Sequence, residues 1–146
     1  MKNTNMKISV IVPCYNYKDQ IIKNLNLLDK ILKKHFREYE IIVINDGSVD
    51  GTHRELGKLS NHKKLRIINN KSNKGKSYSI IKGLKKAKGK KIFLYDCDLP
   101  YFEYINIFLT KLKHNKFVII DRKNKKSKLI KNKNIYQKLR HFIGII

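Results

Sequence analysis

The sequence predicts an α/β domain: a mostly parallel sheet with helices on both faces. Continuous apolar runs rich in β-branched residues alternate with segments of helical spacing along the chain, and this is the pattern of strands buried on both faces. Hydrophobic residues make up 41% of the 146 residues, which is enough for one domain with a core. Polar, turn-forming residues directly follow three of the apolar runs, and open α/β sheets bind ligands beyond the carboxyl ends of their strands.

The first strands and helices follow in order from the amino end. Residues 6–12 (MKISVIV) predict a buried strand, which we expect Pro13 to end because proline donates no hydrogen bond to a strand ladder. Residues 21–34 place apolar side chains at helical spacing. Residues 39–45 (YEIIVIN) predict the second strand, and Asp50 in the turn that follows is expected to cap a short helix.

The rest of the chain continues the alternation. Gly89 is expected to end the third helix, since glycine commonly follows a helix end. The fourth apolar run is bounded by Gly and Pro, as strands often are. The predicted strands are 64–70, 92–95 and 116–121, and the predicted helices are 77–87, 101–114 and 135–143.

Two carboxylates stand where the fourth strand ends. Asp96 and Asp98 follow the run 92–95 directly, with one residue between them. Ionised Asp is rarely buried unless it is paired or binds a metal, and Mg²⁺ commonly uses one or two carboxylates together with substrate phosphates. The pattern fits a divalent-cation site, although a lone D-x-D is more often a simple turn, and the other loops of the chain are what favour the cation. The alternative is a strand-end turn in which Asp bonds to the backbone.

Three further loops have the composition and placement of a binding site. PCYN follows the first strand, NDGSVDGT follows the second, and NKGKSYS opens the third helix. Each is an ordinary turn sequence by itself, and their shared placement is what indicates a site. Lys74 and Lys76, next to helix-start N–H groups, would attract a phosphate. The loop is not a P-loop, because Asn70 stands where that motif needs Gly, and no G-x-G-x-x-G follows the first strand.

The net charge of +23 comes from 29 Lys and 5 Arg scattered along the chain. Arg is the residue suited to bidentate recognition of phosphates and bases, so the composition favours solvated lysines over specific nucleic-acid binding. A basic nucleic-acid or membrane-surface binder is the alternative that charge alone supports. The two cysteines match no zinc or C-x-x-C spacing, and no run reaches the roughly 20 apolar residues of a membrane span. We therefore expect a cytoplasmic location.

The ordered segments ISVIVPCYN, EIIVINDGSVDGT and NKGKSYSIIKGLKKAKGKKIFLYDCDLP resemble the nucleotide-sugar-binding half of a family-two glycosyltransferase with the GT-A fold. The NKGK segment, with the GLKKAKG and D-x-D segments after it, is most similar to the dolichyl- or polyprenyl-phosphate sugar transferases. The resemblance implies a single domain over residues 1–146, with a nucleotide-sugar-binding half at 6–105 and the start of an acceptor half at 106–146. It also implies inverting transfer of a sugar from a nucleoside-diphosphate sugar to a polyprenyl phosphate, a dolichyl phosphate or a glycan.

The resemblance assigns roles to individual residues. Asp46 would hold the base or ribose, Asp96 would sit at the ribose, and Asp98 would be the main ligand of a Mg²⁺ or Mn²⁺ ion bridging the diphosphate. Asp96 is the second implied metal ligand. The residues implied to line the nucleotide-sugar pocket are Pro13, Tyr15, Asn16, Asp46, Gly47, Ser48, Lys74, Gly75, Lys76 and Asp96.

Several positions depart from the pattern of this family. Tyr17 stands where many relatives have an acid, Asn45 replaces the first acid of D-D-G-S, and Glu103 matches an acid of the polyprenyl group only loosely. The sequence identifies no catalytic base. The candidates for contacts with an acceptor phosphate are Arg122 and Arg140.

The acceptor half implied by the resemblance is incomplete, because members of this family usually continue well past this length. We therefore expect a missing carboxyl-terminal half, or a second copy of the chain, as a partner. A peripheral position at the cytoplasmic membrane face follows if the basic loop 123–134 meets anionic lipid, although such a loop is more often a solvated charge run. For the chain, the alternative is a non-catalytic or split-gene fragment that binds a nucleotide sugar.

Overall fold

The structure is a computed structural model, and it describes residues 7–114. In this part of the chain four strands alternate with four α-helices, and a 3₁₀ turn (Phe102–Tyr104) precedes the last helix. The strands are β1 (Ile8–Cys14), β2 (Tyr39–Asn45), β3 (Leu65–Asn69) and β4 (Lys91–Leu94). The helices are α1 (Ile21–His35), α2 (Thr52–Gly57), α3 (Lys76–Leu84) and α4 (Ile105–His114). The predicted strand 116–121 and helix 135–143 lie outside the described residues.

The strands form one parallel sheet in the order β3–β2–β1–β4. The chain moves outward from β1 through β2 to β3, and then returns past both so that β4 pairs with the other side of β1. Because crossover connections are right-handed, these two opposite directions place α1 and α3 on opposite faces of the sheet. The predicted α/β fold is confirmed. β1 and β4 flank the point where the strand order reverses, which is where such sheets bind ligands.

The core is built around the two central strands, β1 and β2. Each has a strand on both sides and helices on its faces, so side chains on both faces are buried. The apolar side chains of these strands that are at most 1% exposed are Ile8, Val10, Ile11, Val12, Ile41, Ile42, Val43 and Ile44. Burying one such side chain contributes about 1.5–3 kcal/mol. This two-sided burial explains why both strands are continuous apolar runs instead of alternating ones.

Pro13 does not end the first strand, contrary to the expectation from the sequence. β1 continues through Pro13 to Cys14, in register with β2. The backbone of Ile11 faces β4, since its carbonyl accepts the Tyr95 N–H, whereas the carbonyl of Cys14 faces β2. Pro13 therefore faces the β4 side, where pairing has already ended at Ile11. Its missing N–H leaves no ladder hydrogen bond unmade.

The predicted fourth strand is confirmed, with its bounds moved by one residue, but it is not fully buried. Its first three residues are half-buried, and Leu94 is 48% exposed. Among the described residues β4 pairs with β1 alone. Tyr95, directly after the strand, is buried and donates its N–H to Ile11, so the apolar run ends inside the protein just before the two carboxylates.

Helix α3 ends at Leu84, earlier than the predicted end before Gly89. The N–H groups of Lys86 and Ala87 then donate to carbonyls three residues back, which is the tighter 3₁₀ pattern common at helix ends. The chain then passes Gly89, which lies against β1. A Cβ at this position would be 2.5 Å from the backbone nitrogen of Ser9.

The other helices predicted within residues 7–114 are confirmed within a few residues. The segment predicted at 21–34 forms α1, and its apolar stripe is buried. The segment predicted at 101–114 begins as a 3₁₀ turn and continues as α4. No helix within residues 7–114 has the length and apolar character needed to cross a membrane.

Gly83 allows α3 to pack closely on β1. A Cβ at this position would lie 2.5 Å from Cγ2 of Ile11, a side chain with no exposed surface. We expect Gly83→Ala to lower the free energy of unfolding by about 1–3 kcal/mol, because a fully buried neighbour must shift to make room. Urea denaturation followed by circular dichroism measures the change.

Gly57→Ala is the matched control for that substitution. Gly57 is also helical, at the end of α2, and a Cβ there would have no atom within 4 Å. We expect Gly57→Ala to leave stability unchanged or to raise it by up to about 1 kcal/mol, because Ala has the higher helix propensity. Equal effects of the two substitutions would show that close packing at Gly83 does not limit stability.

Candidate functional site

The site residues predicted within 7–114 lie in or next to loops at one edge of the sheet. Segments 13–16 and 46–48 stand at the carboxyl ends of β1 and β2, and segment 96–98 follows β4. Because the strands are parallel, these three ends meet at the same edge. Segment 74–76 leads from β3 into the first residue of α3.

The loops after β1 and β2 are tied together by bonds between side chains and backbone. The Asn16 N–H donates to Ser48 Oγ (2.9 Å), and the Val49 N–H donates to Asn16 Oδ1 (3.0 Å). Asn16 has a φ of +48°, a left-handed conformation that Asn tolerates better than most residues. Asn16 and Ser48 therefore hold the two loops in register, and their predicted contacts with a nucleotide stay predictions.

Asp50 makes a second tie between these loops. One carboxylate oxygen accepts the Lys18 N–H (3.0 Å), and the other accepts the N–H (2.9 Å) and hydroxyl (2.6 Å) of Thr52. Burial acts to raise the pKa of Asp50, but these hydrogen bonds outweigh it and hold the pKa below its usual value. Asp50 thus binds the first residue of α2, as a capping side chain does, although Gly51 occupies the N-cap position.

Asp46 is a buried carboxylate, with 4% of its surface exposed. Its Oδ1 accepts hydrogen bonds from Asn70 Nδ2 (2.6 Å) and the Lys74 N–H (3.0 Å), and its Oδ2 accepts the Gly75 N–H (2.8 Å). Burial acts to raise the pKa of Asp46, but these hydrogen bonds outweigh it, so the pKa lies below its usual value. Asp46 therefore anchors the loop that leads into α3. Its predicted direct contact with a base or ribose stays a prediction.

The NDGS turn and the loop before α3 approach each other closely. Gly47 has a φ of +69°, and a Cβ there would lie 2.3 Å from the backbone carbon of Ser72. Only glycine fits such a contact in this conformation. The Asn70 side chain links this turn to α3. Its Nδ2 donates to Asp46, and its Oδ1 accepts a hydrogen bond from Lys82 Nζ (2.6 Å).

The segment from Asp96 to Tyr101 forms a tight turn after β4. The Leu99 N–H donates to the Asp96 carbonyl (3.0 Å). Leu99 and Tyr101 have φ values of +48° and +56°. Non-glycine residues in this conformation cost energy and are concentrated at binding and catalytic sites. The turn is therefore held in an unfavourable backbone conformation by its surroundings.

The two carboxylates of this turn have different partners. Both oxygens of Asp96 lie within 2.7 Å of Lys76 Nζ. Asp98 is exposed and makes no hydrogen bond or ion pair with any residue in the range 7–114. Burial, and then the charges of Asp98, Glu103 and Asp96, raise the pKa of the Tyr95 hydroxyl. Three carboxylates therefore share this corner of the sheet edge.

This corner fits a divalent cation that also binds a phosphate-bearing ligand. Within the described part of the chain, no group of three or more His, Cys, Asp or Glu residues converges to hold a metal ion alone. Asp98 and Asp96 supply oxygen donors, which Mg²⁺ and Mn²⁺ prefer, and such a cation usually completes its shell with water and substrate phosphates. Asp98 is directly available as a ligand, whereas Asp96 would first leave Lys76.

The remaining predicted residues have less specific surroundings. Tyr15 is 45% exposed at the rim of the edge. Pro13 lies one residue before the end of β1, and Lys74 is an exposed residue. Arg122 and Arg140, the candidates for contacts with an acceptor phosphate, lie outside the described residues.

Three side chains that hold the site loops in place were not predicted from the sequence: Asn24, Thr52 and Asn70. Asn24 and Asn70 are polar residues at the edge of apolar patterns, in α1 and directly after β3, and both are buried. A polar residue within an apolar stripe was the available signal. Thr52 had no comparable signal, because a threonine after a glycine-containing turn is ordinary.

Comparison with known proteins agrees with this geometry. A family model described as Glycosyl transferase family 2 matches residues 9–144. A dolichol-phosphate mannosyltransferase of Pyrococcus furiosus is 30% identical over 135 residues, which are 92% of this chain and 38% of that protein. The putative glycosyltransferase CsbB of Bacillus subtilis is 34% identical over 103 residues, which are 67% of this chain and 30% of that protein. The chain thus spans less than two fifths of the length of these relatives.

Solved structures show the same fold. The mannosyltransferase PcManGT from Pyrobaculum calidifontis, in complex with GDP-Man and Mn²⁺, superposes with a TM-score of 0.52 at 27% identity, covering 62% of this chain and 27% of that one. S. aureus TarS 1-349, in complex with UDP-GlcNAc, superposes with a TM-score of 0.53 at 28% identity, covering 73% of this chain and 32% of that one. The described sheet therefore has the fold of GT-A glycosyltransferases.

The buried Asp46 carboxylate predicts a pH-dependent contribution to stability. Because the pKa of Asp46 is lowered in the folded chain, this contribution is fully present above the unfolded value of about 3.9 and is lost as the pH falls through the folded value. Asp46→Asn places an NH₂ group among three N–H donors, so we expect it to lower the free energy of unfolding at neutral pH by about 1–3 kcal/mol. The difference from the parent chain should shrink in acid, and urea denaturation at pH 7 and at about pH 3 measures it.

Asp19→Asn is the control for this substitution, because Asp19 is an exposed carboxylate before α1. We expect its stability to follow that of the parent chain at both pH values. A difference between Asp46→Asn and the parent that stays constant across this pH range would contradict a stabilising role for the ionised carboxylate.

Proposed function

Because the chain belongs to glycosyltransferase family 2, we propose that residues 7–114 form the donor site of a metal-dependent enzyme that transfers a sugar from a nucleoside-diphosphate sugar. The observation that carries this proposal is the corner at the switch point of the sheet. There Asp98, without a partner among residues 7–114, stands beside the Lys76–Asp96 ion pair. A diphosphate with its cation needs an oxygen ligand for the metal and a cationic side chain for the phosphates, and this corner offers both.

In the proposed reaction the acceptor oxygen attacks the anomeric carbon of the donor sugar, and the bond between that carbon and the diphosphate breaks. The electron pair of that bond leaves with the nucleoside diphosphate, and attack from the opposite side inverts the configuration. Asp98, with Asp96, would hold the cation, whose Lewis acidity would stabilise the departing diphosphate. Lys76 and the N–H groups at the start of α3 add positive potential at the same place.

The tied loops after β1 and β2 are the proposed pocket for the base and ribose. Tyr15 lies at its rim with 45% of its surface exposed and offers a ring face for a base. Pro13 and Asn16 shape the loop beneath it. Asp46 contributes by holding the Lys74–Gly75 backbone in place, whether or not it also reaches the nucleotide.

The proposed acceptor is a polyprenyl phosphate, and a glycan hydroxyl is the alternative. One relative carries the name dolichol-phosphate mannosyltransferase, which supports a lipid phosphate. A phosphate acceptor is already ionised and needs no base to remove a proton, in keeping with a sequence in which no base was identified. Arg122 and Arg140 remain the proposed contacts for that phosphate. A peripheral position at the cytoplasmic membrane face would bring a chain of charge +23 to an anionic surface.

Isothermal titration of the chain with UDP and with GDP, each with and without Mn²⁺, tests donor binding. Both nucleotides are needed, because one similar structure contains GDP-Man and another UDP-GlcNAc. We expect one nucleotide to bind in a Mn²⁺-dependent way. Asp98→Asn should weaken that binding at least about tenfold, because it removes the ligand charge that holds the cation.

Glu38→Gln is the control, because it removes an exposed carboxylate at the opposite edge of the sheet, directly before β2. It should leave nucleotide binding unchanged. Unchanged binding in Asp98→Asn would contradict the assignment of the metal ligand, and a parent chain that binds neither nucleotide would contradict the donor site itself. Binding that falls steeply with salt and needs no Mn²⁺ would favour simple attraction of anions to a basic surface.

A further inference from the structure

Asn24 is a polar residue on the buried face of α1. Only 9% of its surface is exposed, and the other buried positions of the helix are all apolar: Ile21, Leu25, Leu28, Ile31 and Leu32. A leucine at this position would extend the stripe. Buried amides are almost always hydrogen-bonded, so the partners of Asn24 indicate what the residue does.

Those partners lie in the two loops that flank the switch point. Asn24 Nδ2 donates to the carbonyl of Cys97 (2.8 Å) and lies 3.4 Å from the Tyr17 hydroxyl oxygen. Cys97 is the residue between Asp96 and Asp98, and it is separated from Asn24 by 73 positions in the chain. One side chain on α1 thus reaches both the loop after β1 and the turn after β4.

The carbonyl that Asn24 holds lies at a point where the turn needs external support. Leu99 follows two residues later in a left-handed conformation, with φ of +48°. The exposed Asp98 side chain has no hydrogen bond or ion pair within residues 7–114, so the backbone of the turn is what places it in the site. The bond from Asn24 to Cys97 acts on the peptide group that joins Cys97 to Asp98.

We infer that Asn24 is a positioning residue that holds the Asp96–Asp98 turn in the orientation in which it binds the donor with its cation. That Asn24 holds the turn stands on the contacts above. That this orientation serves donor binding rests on the proposed function. Removing a group that orients a metal ligand commonly lowers metal affinity about 10- to 100-fold, and we expect an effect of roughly this size for Asn24.

The first experiment uses no nucleotide and no metal. Alkylation of Cys97 by iodoacetamide in the native full chain, read by mass spectrometry of the peptide that contains it, reports how often the turn opens. In the parent chain the reaction is slow, because the free Cys97 side chain is half-buried within the folded turn. We expect Asn24→Ala to accelerate alkylation at least about threefold.

Two further variants make the comparison specific. Asn26→Ala removes the same side chain from an exposed position of the same helix and should leave the rate unchanged. Asn24→Leu keeps the bulk and the apolar packing of α1 while removing the donor, so it folds even where the alanine variant does not. Asn24→Leu should alkylate as fast as Asn24→Ala, whereas a role in packing alone would restore the parent rate.

The second experiment repeats the titrations with UDP and GDP in Mn²⁺ for the same variants. We expect the Asn24 variants to lose affinity about tenfold or more, and Asn26→Ala to match the parent. An unchanged alkylation rate in both Asn24 variants overturns the inference, and so does faster alkylation with unchanged affinity. A parent chain that binds neither nucleotide refutes the proposed function, while faster alkylation in that case still supports the hold of Asn24 on the turn.

Discussion

The burial of the Asp46 carboxylate is the constraint on which the arrangement of the site depends. A charge with 4% of its surface exposed is tolerated only when its oxygens accept several hydrogen bonds. Asp46 finds them in Asn70 and in the backbone of Lys74 and Gly75. The loop from β3 is therefore bound to the end of β2, and α3 begins at the next residue, Lys76. The need of Asp46 for hydrogen bonds thus fixes where α3 begins, and with it the backbone position from which the Lys76 side chain reaches Asp96.

The parallel sheet supplies a second constraint, because it brings loops distant in sequence to one edge. Once β4 pairs with β1, the turn at Asp96–Asp98 must lie beside the loop that follows β1. The turn and the loop are nevertheless separate segments of the chain, and closeness alone does not fix their geometry. Ties such as Asn16 to Ser48 and Asn24 to Cys97 convert this proximity into a defined geometry. Binding sites require that step, since small displacements of a ligand group cost much of its effect.

The sequence predicted the strands well and the supporting contacts poorly, for physical reasons. Strands buried on both faces must be continuous apolar runs, so residues 39–45 were recognisable from their composition alone. The prediction for Pro13 was wrong because proline ends a strand only where a neighbouring strand needs its missing N–H. Whether β4 still pairs at Pro13 is a tertiary property that the sequence does not show. Asp46 could be placed in a site loop, but its burial could not, because the three donors come from residues 24 to 29 positions away. Asn24 stood out as a polar residue within an apolar stripe, but its partner could not be predicted, because Cys97 is 73 positions away.

The Lys76–Asp96 ion pair links the resting site to the proposed reaction. The Lys76 side chain is 59% exposed and that of Asp96 32%, and ion pairs this exposed contribute only about 0–1 kcal/mol. The pair is therefore easily exchanged. A diphosphate is a stronger partner for Lys76, because it carries two charges. When Lys76 moves from Asp96 to the diphosphate, Asp96 becomes available as a second oxygen ligand beside Asp98. Under the proposed function, a nucleotide and its cation therefore favour each other's binding. The nucleotide draws Lys76 away from Asp96 and so frees Asp96 for the cation, and a cation bound to Asp96 frees Lys76 for the nucleotide.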